Sequence, residues 1–245
     1  MLKHLFIKYS ITNLFLVTGI SFFWGCSTHQ SNKTETSAVD TIKSNPPVAK
    51  SDSNSGPKKK LIVFFGNSLT AGYGLDDPGL AFPGLIKKKI DSLNLPYNVV
   101  NAGLSGETTA GGLARIDWIL RDAPDIFFLE LGGNDGLRGI PVTETSKNLQ
   151  SIIDKVLAKN PKVKIVLAGM MVPPNMGSTY SNAFKSVFQE LAKRNTTINL
   201  SFMPFLLAGV GGETALNQAD GIHPNVAGHR IVAENVWKII QPLLL

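Results

Sequence analysis

The sequence predicts one α/β domain, a three-layer α/β/α sandwich in which about five parallel strands are covered by helices on both faces. Three observations carry this expectation. From Leu61 onward short apolar runs alternate with amphipathic segments, the order that produces crossover connections and a parallel sheet. The first of these runs is apolar throughout rather than at every second position, as a strand buried on both faces requires. Gly- and Asn-rich stretches follow the runs, at what would be the carboxyl edge of the sheet, where open α/β folds bind ligands. The expected topology is flavodoxin-like.

The elements follow in order. "LIVFF" (61–65) is the first strand, and Ile86, Ile90 and Leu93 stripe the helix behind it. "YNVV" (97–100) is the second strand and "DIFFLEL" (125–131) the third. Leu149, Ile152, Ile153, Val156 and Leu157 recur at i, i+3, i+4, i+7 and i+8, one face of a helix. "VKIVLAG" (163–169) is the fourth strand, and Phe184, Val187, Phe188, Leu191 and Ala192 repeat the helical spacing. "INLSFM" (198–203) is a weaker fifth strand, and Val232, Val236, Ile239 and Ile240 mark the closing helix.

The N-terminus differs in kind. Lys3 and Lys8 precede an apolar run, Leu14 to Trp24, that ends at Gly25-Cys26, a secretory-signal composition too short to span a membrane comfortably. Cys26 is the only cysteine of the 245 residues, so no intramolecular disulfide can form. Its place just after the leader argues against a buried core thiol. The stretch "FFWGC" resembles a bacterial lipoprotein cleavage site, which implies a signal peptide over 1–25 and an acylated Cys26. Residues 26–60 then form a polar, Pro-broken tether, with a root-mean-square reach of roughly 30 Å. The folded domain is expected over 61–245. The implied address is the cell envelope of a bacterium, as a membrane-anchored lipoprotein on the periplasmic side or in the outer membrane.

Charge excludes one class of partner. The formal net charge is +6, but residues 1–60 hold 8 of the 24 basic and 3 of the 18 acidic residues, leaving 16 against 15 for the domain. A nearly neutral domain lacks the basic surface that a phosphate backbone needs, so nucleic acid is not expected.

Four stretches stand where the carboxyl-edge loops should be: "GNSLTAGYG" (66–74), "NAGLSGETTAGG" (101–112), "LGGND" (131–135) and "DGIHPN" (220–225). A serine hydroxyl becomes a competent nucleophile only when a base accepts its proton. His4 lies in the leader, His29 in the tether and His229 in the last helix, which leaves His223 as the partner for Ser68. Asp220, three positions earlier, is close enough to orient the imidazole and fix its tautomer. The plain alternatives are that Ser68 caps a helix and that Asp220 only shapes a loop. Donors for a developing oxyanion are available in the N–H groups of Ser68 and Gly103 and the amide of Asn134; a turn glycine and an Asx-turn are the bland readings of the last two. Ser105 is the second candidate nucleophile, without a base nearby in sequence. G-x-S-x-G, H-E-x-x-H, the Walker phosphate loop and paired metal cysteines are absent, so neither metal nor cofactor is implied.

Together the four stretches resemble the four motif blocks of the SGNH, or GDSL-type, hydrolases over nearly all of 61–245. They are most similar to the subgroup of acyl-CoA thioesterase I, arylesterase and lysophospholipase L1. The resemblance maps the family's Ser, Gly, Asn and His onto Ser68, Gly103, Asn134 and His223, with Asp220 as the acid. It also implies that "GMMVPPNMG" (169–177) is a mobile substrate-side loop. The family's Gly-Asp-Ser-Leu reads Gly66-Asn67-Ser68-Leu69 here. Asparagine keeps an acceptor of similar shape, loses the charge and gains two donors.

The expectation is an exported serine esterase that hydrolyses carboxylic ester or thioester bonds through an acyl-enzyme. A monomer should suffice, with a small acyl ester or lysophospholipid as substrate and the membrane met through the lipid. Leu104, Leu137, Met171 and Val172 are the candidate acyl-chain contacts. The alternatives are a carbohydrate acetylesterase using the same residues and a non-catalytic ligand-binding lipoprotein on the same scaffold.

Overall fold

The computed structural model describes residues 59–244. The expected leader (1–25), the expected lipidation site Cys26 and the expected tether as far as residue 58 lie outside the described residues. Five strands form one sheet: β1 (Lys60–Gly66), β2 (Tyr97–Gly103), β3 (Ile126–Glu130), β4 (Lys164–Ala168) and β5 (Leu200–Met203). Every pairing is parallel and the order is β2-β1-β3-β4-β5, the doubly wound order of flavodoxin-like sheets. β1 begins at Lys60, one residue earlier than the apolar run suggests, because Lys60 pairs with Tyr97 and donates its N–H to Pro96 O at 2.8 Å.

Neighbouring phenylalanines show how both faces are covered. Phe64 meets Phe128 and Phe82, the latter on α2 (Phe82–Ser92). Phe65, the next residue, points the other way, to Phe127 and under the Arg115 guanidinium of α3 (Thr109–Ile119). Successive side chains of a strand alternate between faces, so all-apolar β1 and β3 require helices on both. α2 packs on α7 (Val226–Ile240), and α3 packs on α5 (Val142–Lys159), which meets α6 (Ser178–Arg194). β1, β3 and β4 are buried along most of their length, whereas the edge strands β2 and β5 are mixed. That is why "INLSFM" reads weakly.

One core assignment is corrected. Leu93 is 55% exposed, because α2 stops at Ser92 and Asn94 adopts a left-handed φ of 52° that turns the chain. Leu95 packs against the core in its place.

The register sets the level of the loops. Gly66 pairs with Gly103 on one side and with Glu130 on the other, so β1, β2 and β3 end together and the first three candidate loops leave from one edge. The strand order reverses between β1 and β3, and such a switch point opens a crevice at the carboxyl ends.

Candidate active site

Asn67 leaves β1 and caps α1 (Ser68–Ala71), its Oδ1 accepting from Leu69 N at 3.0 Å. The capping role that Ser68 could have filled therefore belongs to its neighbour. Ser68 is the first residue of that short helix and only 9% exposed. The helix closes on Gly72, whose φ of 80° lets the chain reverse.

The hydroxyl of Ser68 lies 2.8 Å from His223 Nε2, across 155 positions of sequence. On the other side of the ring, Nδ1 lies 2.6 Å from Asp220 Oδ2. The remaining oxygen of Asp220 accepts the N–H groups of Ile222 at 2.9 Å and His223 at 3.0 Å, so the carboxylate shapes its own turn. A carboxylate only accepts, which puts the imidazole proton on Nδ1 and leaves Nε2 free to accept from the serine. Burial pushes the Asp220 pKa up, but the hydrogen bonds from His223 and Ile222 and the charge of His223 outweigh it and bring it down to about 2. Tyr73 lies against the ring at 4.7 Å between centroids, and Gln218 Nε2 donates to Tyr73 O at 2.7 Å. The fourth loop is thus tied to the first. Ser105 is exposed and makes no side-chain hydrogen bond among the described residues, so the second candidate nucleophile has no base.

The donors come out differently from the expectation. The Ser68 N–H has no acceptor among the described residues, as befits the first residue of a helix. Asn134 lies in α4 (Gly133–Leu137) and spends one amide hydrogen on Glu107 O at 3.0 Å, leaving the other. Gly103 is corrected: its N–H donates to Asn101 Oδ1 at 3.0 Å. A side chain at Gly103 would collide with the backbone of Ala71, so this glycine permits close approach to α1. Three residues on, Gly106 sits in the turn at φ 79°, its N–H without an acceptor among the described residues.

Of the candidate acyl contacts, Leu104 is bound to the first loop through its N–H on Gly66 O at 2.9 Å and is exposed. Leu137 and Met171 are exposed as well. Val172 is half-buried, packed on the core and on Gly136 of α4. A hollow of about 350 Å³ touching Asp220 is lined by Gly212, Thr214, Asn217, Gln218, Ala219 and Gly221; none of the four lines it.

Residues 64–231 match the model of the GDSL-like lipase/acylhydrolase family. The chain belongs to this family. It is 41% identical over 186 residues to esterase TesA of Pseudomonas aeruginosa, covering 76% of this chain and 90% of that one. Against the Escherichia coli K12 thioesterase 1/protease 1/lysophospholipase L1 it is 35% identical over 184 residues, covering 75% and 84%. The crystal structure of the psychrotrophic esterase EstA from Pseudoalteromonas sp., inhibited by monoethylphosphonate, superposes with a TM-score of 0.69 at 32% identity, over 76% of this chain and 99% of EstA. This GDSL-family chain is accordingly a hydrolase acting on esters.

Sequence reasoning passed over three groups that support the GDSL site. Glu130, at the end of β3, is fully buried and hydrogen-bonded to Asn67 and Thr70. Its signal was there, a lone acid inside an apolar strand. Asn101 bridges β2 to α1, with Nδ2 on Thr70 O at 2.8 Å. Arg115 makes a two-pronged pair with the buried Glu107, both contacts at 2.5 Å, and holds Ala102 O at 2.8 Å. It thereby fixes the loop on which Asn134 leans.

Proposed function

We propose that this hydrolase is a serine esterase of small acyl substrates, with Ser68 as nucleophile, His223 as its base and Asp220 as the group that orients the histidine. The single observation that carries the reading is the continuous relay from Asp220 Oδ2 through both ring nitrogens to Ser68 Oγ, at 2.6 Å and 2.8 Å. Ser68 attacks the acyl carbonyl as Nε2 takes its proton; the alcohol or thiol leaves with that proton, and an acyl-enzyme remains. Water then attacks with the same histidine as base and releases the acid. The oxyanion would meet the Ser68 N–H, the spare Asn134 amide hydrogen and the unspent N–H of Gly106, rather than that of Gly103.

Apolar acyl or aryl groups suit the site better than sugars. Tyr73, Leu104, Leu137, Met171 and Ile222, on the loops that leave the sheet here, are exposed, whereas a sugar asks for polar rims. The leader and the lone Cys26 support an exported, lipid-anchored enzyme. A lysophospholipid or short aryl ester then fits the address better than a cytosolic thioester.

A fluorophosphonate probe tests the reading. Wild-type protein should label, Ser68→Ala should not, and hydrolysis of 4-nitrophenyl butyrate should disappear with the label. Folded wild-type protein that resists labelling would favour a binding protein. Acetyl-xylan turned over faster than any acyl ester from acetyl to palmitoyl would favour the carbohydrate esterase. Incorporation of a fatty-acid label that survives Cys26→Ser would remove the anchor.

A further inference from the structure

We infer that Glu130 is the positioning residue of the nucleophile turn, and that Asn67 lets it act as a bare carboxylate, where an acid at position 67 would oblige the pair to share a proton. The inference rests on Ser68 being the nucleophile. The geometry is that of one acceptor gripping the turn on both sides of that serine. Glu130 Oε1 accepts from Asn67 Nδ2 at 2.7 Å, and Oε2 accepts from the Asn67 N–H at 3.0 Å and from Thr70 Oγ1 at 2.7 Å. Asn67 Oδ1 in turn accepts from Leu69 N at 3.0 Å and lies 3.4 Å from Ser68 Oγ. Gly66 leaves the room, since a Cβ there would collide with Glu130 Oε2 and Thr70 Oγ1.

All three partners of Glu130 are donors, so its two oxygens are satisfied without a proton of their own. Protonation on Oε1 would turn an O–H toward the Asn67 amide N–H, which can only donate, whereas a proton on Oε2 could be taken only if the Thr70 hydroxyl reversed its role from donor to acceptor. Burial nevertheless raises the Glu130 pKa to about 7, against the hydrogen bonds from Thr70 and Asn67 that lower it; no charged side chain contributes. His223 is the titratable group facing the serine from the fourth loop. The contacts as they stand are therefore those of ionised Glu130, and the alkaline side is unrestricted by this turn.

Aspartate at position 67 would reverse that demand. A carboxylate oxygen in place of Nδ2 would face Oε1 at hydrogen-bond distance, and two such oxygens coexist only around a shared proton. Losing that proton at high pH would drive the residues apart and release the serine.

The experiment is a set of pH–kcat profiles for wild type, Asn67→Asp, Glu130→Gln and the exchange variant Asn67→Asp/Glu130→Gln, with 4-nitrophenyl butyrate and with thermal melts alongside. Wild type should rise to an alkaline plateau. Asn67→Asp should keep its optimum rate within about tenfold but fall at least about tenfold from about pH 7 to about pH 9.5. The exchange variant puts the amide opposite the carboxylate again and should recover the plateau. Glu130→Gln alone should lose about tenfold or more in kcat, with KM within about twofold. A flat alkaline limb in Asn67→Asp, or a limb that the exchange does not remove, would overturn the inference, and that comparison stands even if Glu130→Gln fails to fold. Ser68→Ala separates the two readings: an active Ser68→Ala sinks the serine mechanism, whereas an inactive one beside an unaltered Asn67→Asp profile sinks only the role of Glu130.

Discussion

Asp220→Asn separates orientation of the histidine from the shape of its loop. Asparagine retains one side-chain oxygen, which can go on accepting the N–H groups of Ile222 and His223, now held at 2.9 Å and 3.0 Å. Its amide nitrogen then faces His223 Nδ1, where the carboxylate stood at 2.6 Å. A donor there favours the tautomer with its proton on Nε2, aimed at a serine hydroxyl that must be deprotonated. In serine proteases, where the acid is buried, this inversion lowers kcat by about 10⁴. The Asp220 side chain is 37% exposed and that of His223 17%, so water can bridge and part of the correct tautomer returns. The expected loss is about 10³ in kcat, or about 4 kcal/mol of activation free energy at ~1.4 kcal/mol per tenfold. KM should stay within about threefold, since no substrate contact is removed. Initial rates with 4-nitrophenyl butyrate, together with the rate of fluorophosphonate labelling, measure both. A variant that melts normally and keeps kcat within about threefold of wild type would refute the orienting role.

Two further outcomes follow from the same contacts. Asn134→Ala should lower kcat by about 10² to 10³ while leaving KM nearly unchanged, because the amide is needed where charge develops; equal losses in 1/KM would mean it holds the ground state instead. The second concerns stability and pH. Burial, and then the charge of His223, lowers the His229 pKa from 6.5 to about 4, so folding gains stability as pH rises from about 4 to 6.5. Glu130, raised from 4.5 to about 7, has the opposite sign and loses stability as pH rises from about 4.5 to 7. Each shift corresponds to about 3 kcal/mol at most, so the two nearly cancel. Urea unfolding of wild type between pH 4.5 and 6.5 should be nearly flat. Glu130→Gln should uncover a rise with pH and His229→Asn a fall; parallel slopes in all three would contradict the assignment.

What the sequence made legible was whatever lies local to a motif or a period. Strands β1, β3 and β4 are buried on both faces, so their apolar runs were unmistakable, and Asp220 and His223 share one turn, so their pairing needed no long-range information. The contact between Ser68 and His223 was legible because the domain offers one loop histidine. The donor role of Gly103 was misjudged for a physical reason: a bare glycine in a loop announces either an exposed N–H or a close backbone approach, and only the fold distinguishes them. Here Asn101 takes the N–H and Ala71 takes the space. Leu93 failed likewise, because the stripe continued in sequence while Asn94 had already turned the chain. Glu130 was hidden by its partners, which sit 60 and 63 positions away.

The arrangement also explains how four distant stretches converge with few independent constraints. Parallel register alone levels Gly66, Gly103 and Glu130, and with them the origins of three loops. The fourth loop is closed on itself before it meets the others: Gln218 N donates to His223 O at 2.8 Å, Asn217 bridges to Pro224, and Asn225 caps α7 while holding Ala215 O and Asn217 O. Asp220 and His223 therefore arrive as one preformed turn. What remains is a single distance, from that turn to Ser68, and α7 packed on α2 with Gln218 bonded to Tyr73 O sets it from both sides. A site assembled this way tolerates change in loop length between its parts, since each part carries its own geometry and only their meeting must be specified.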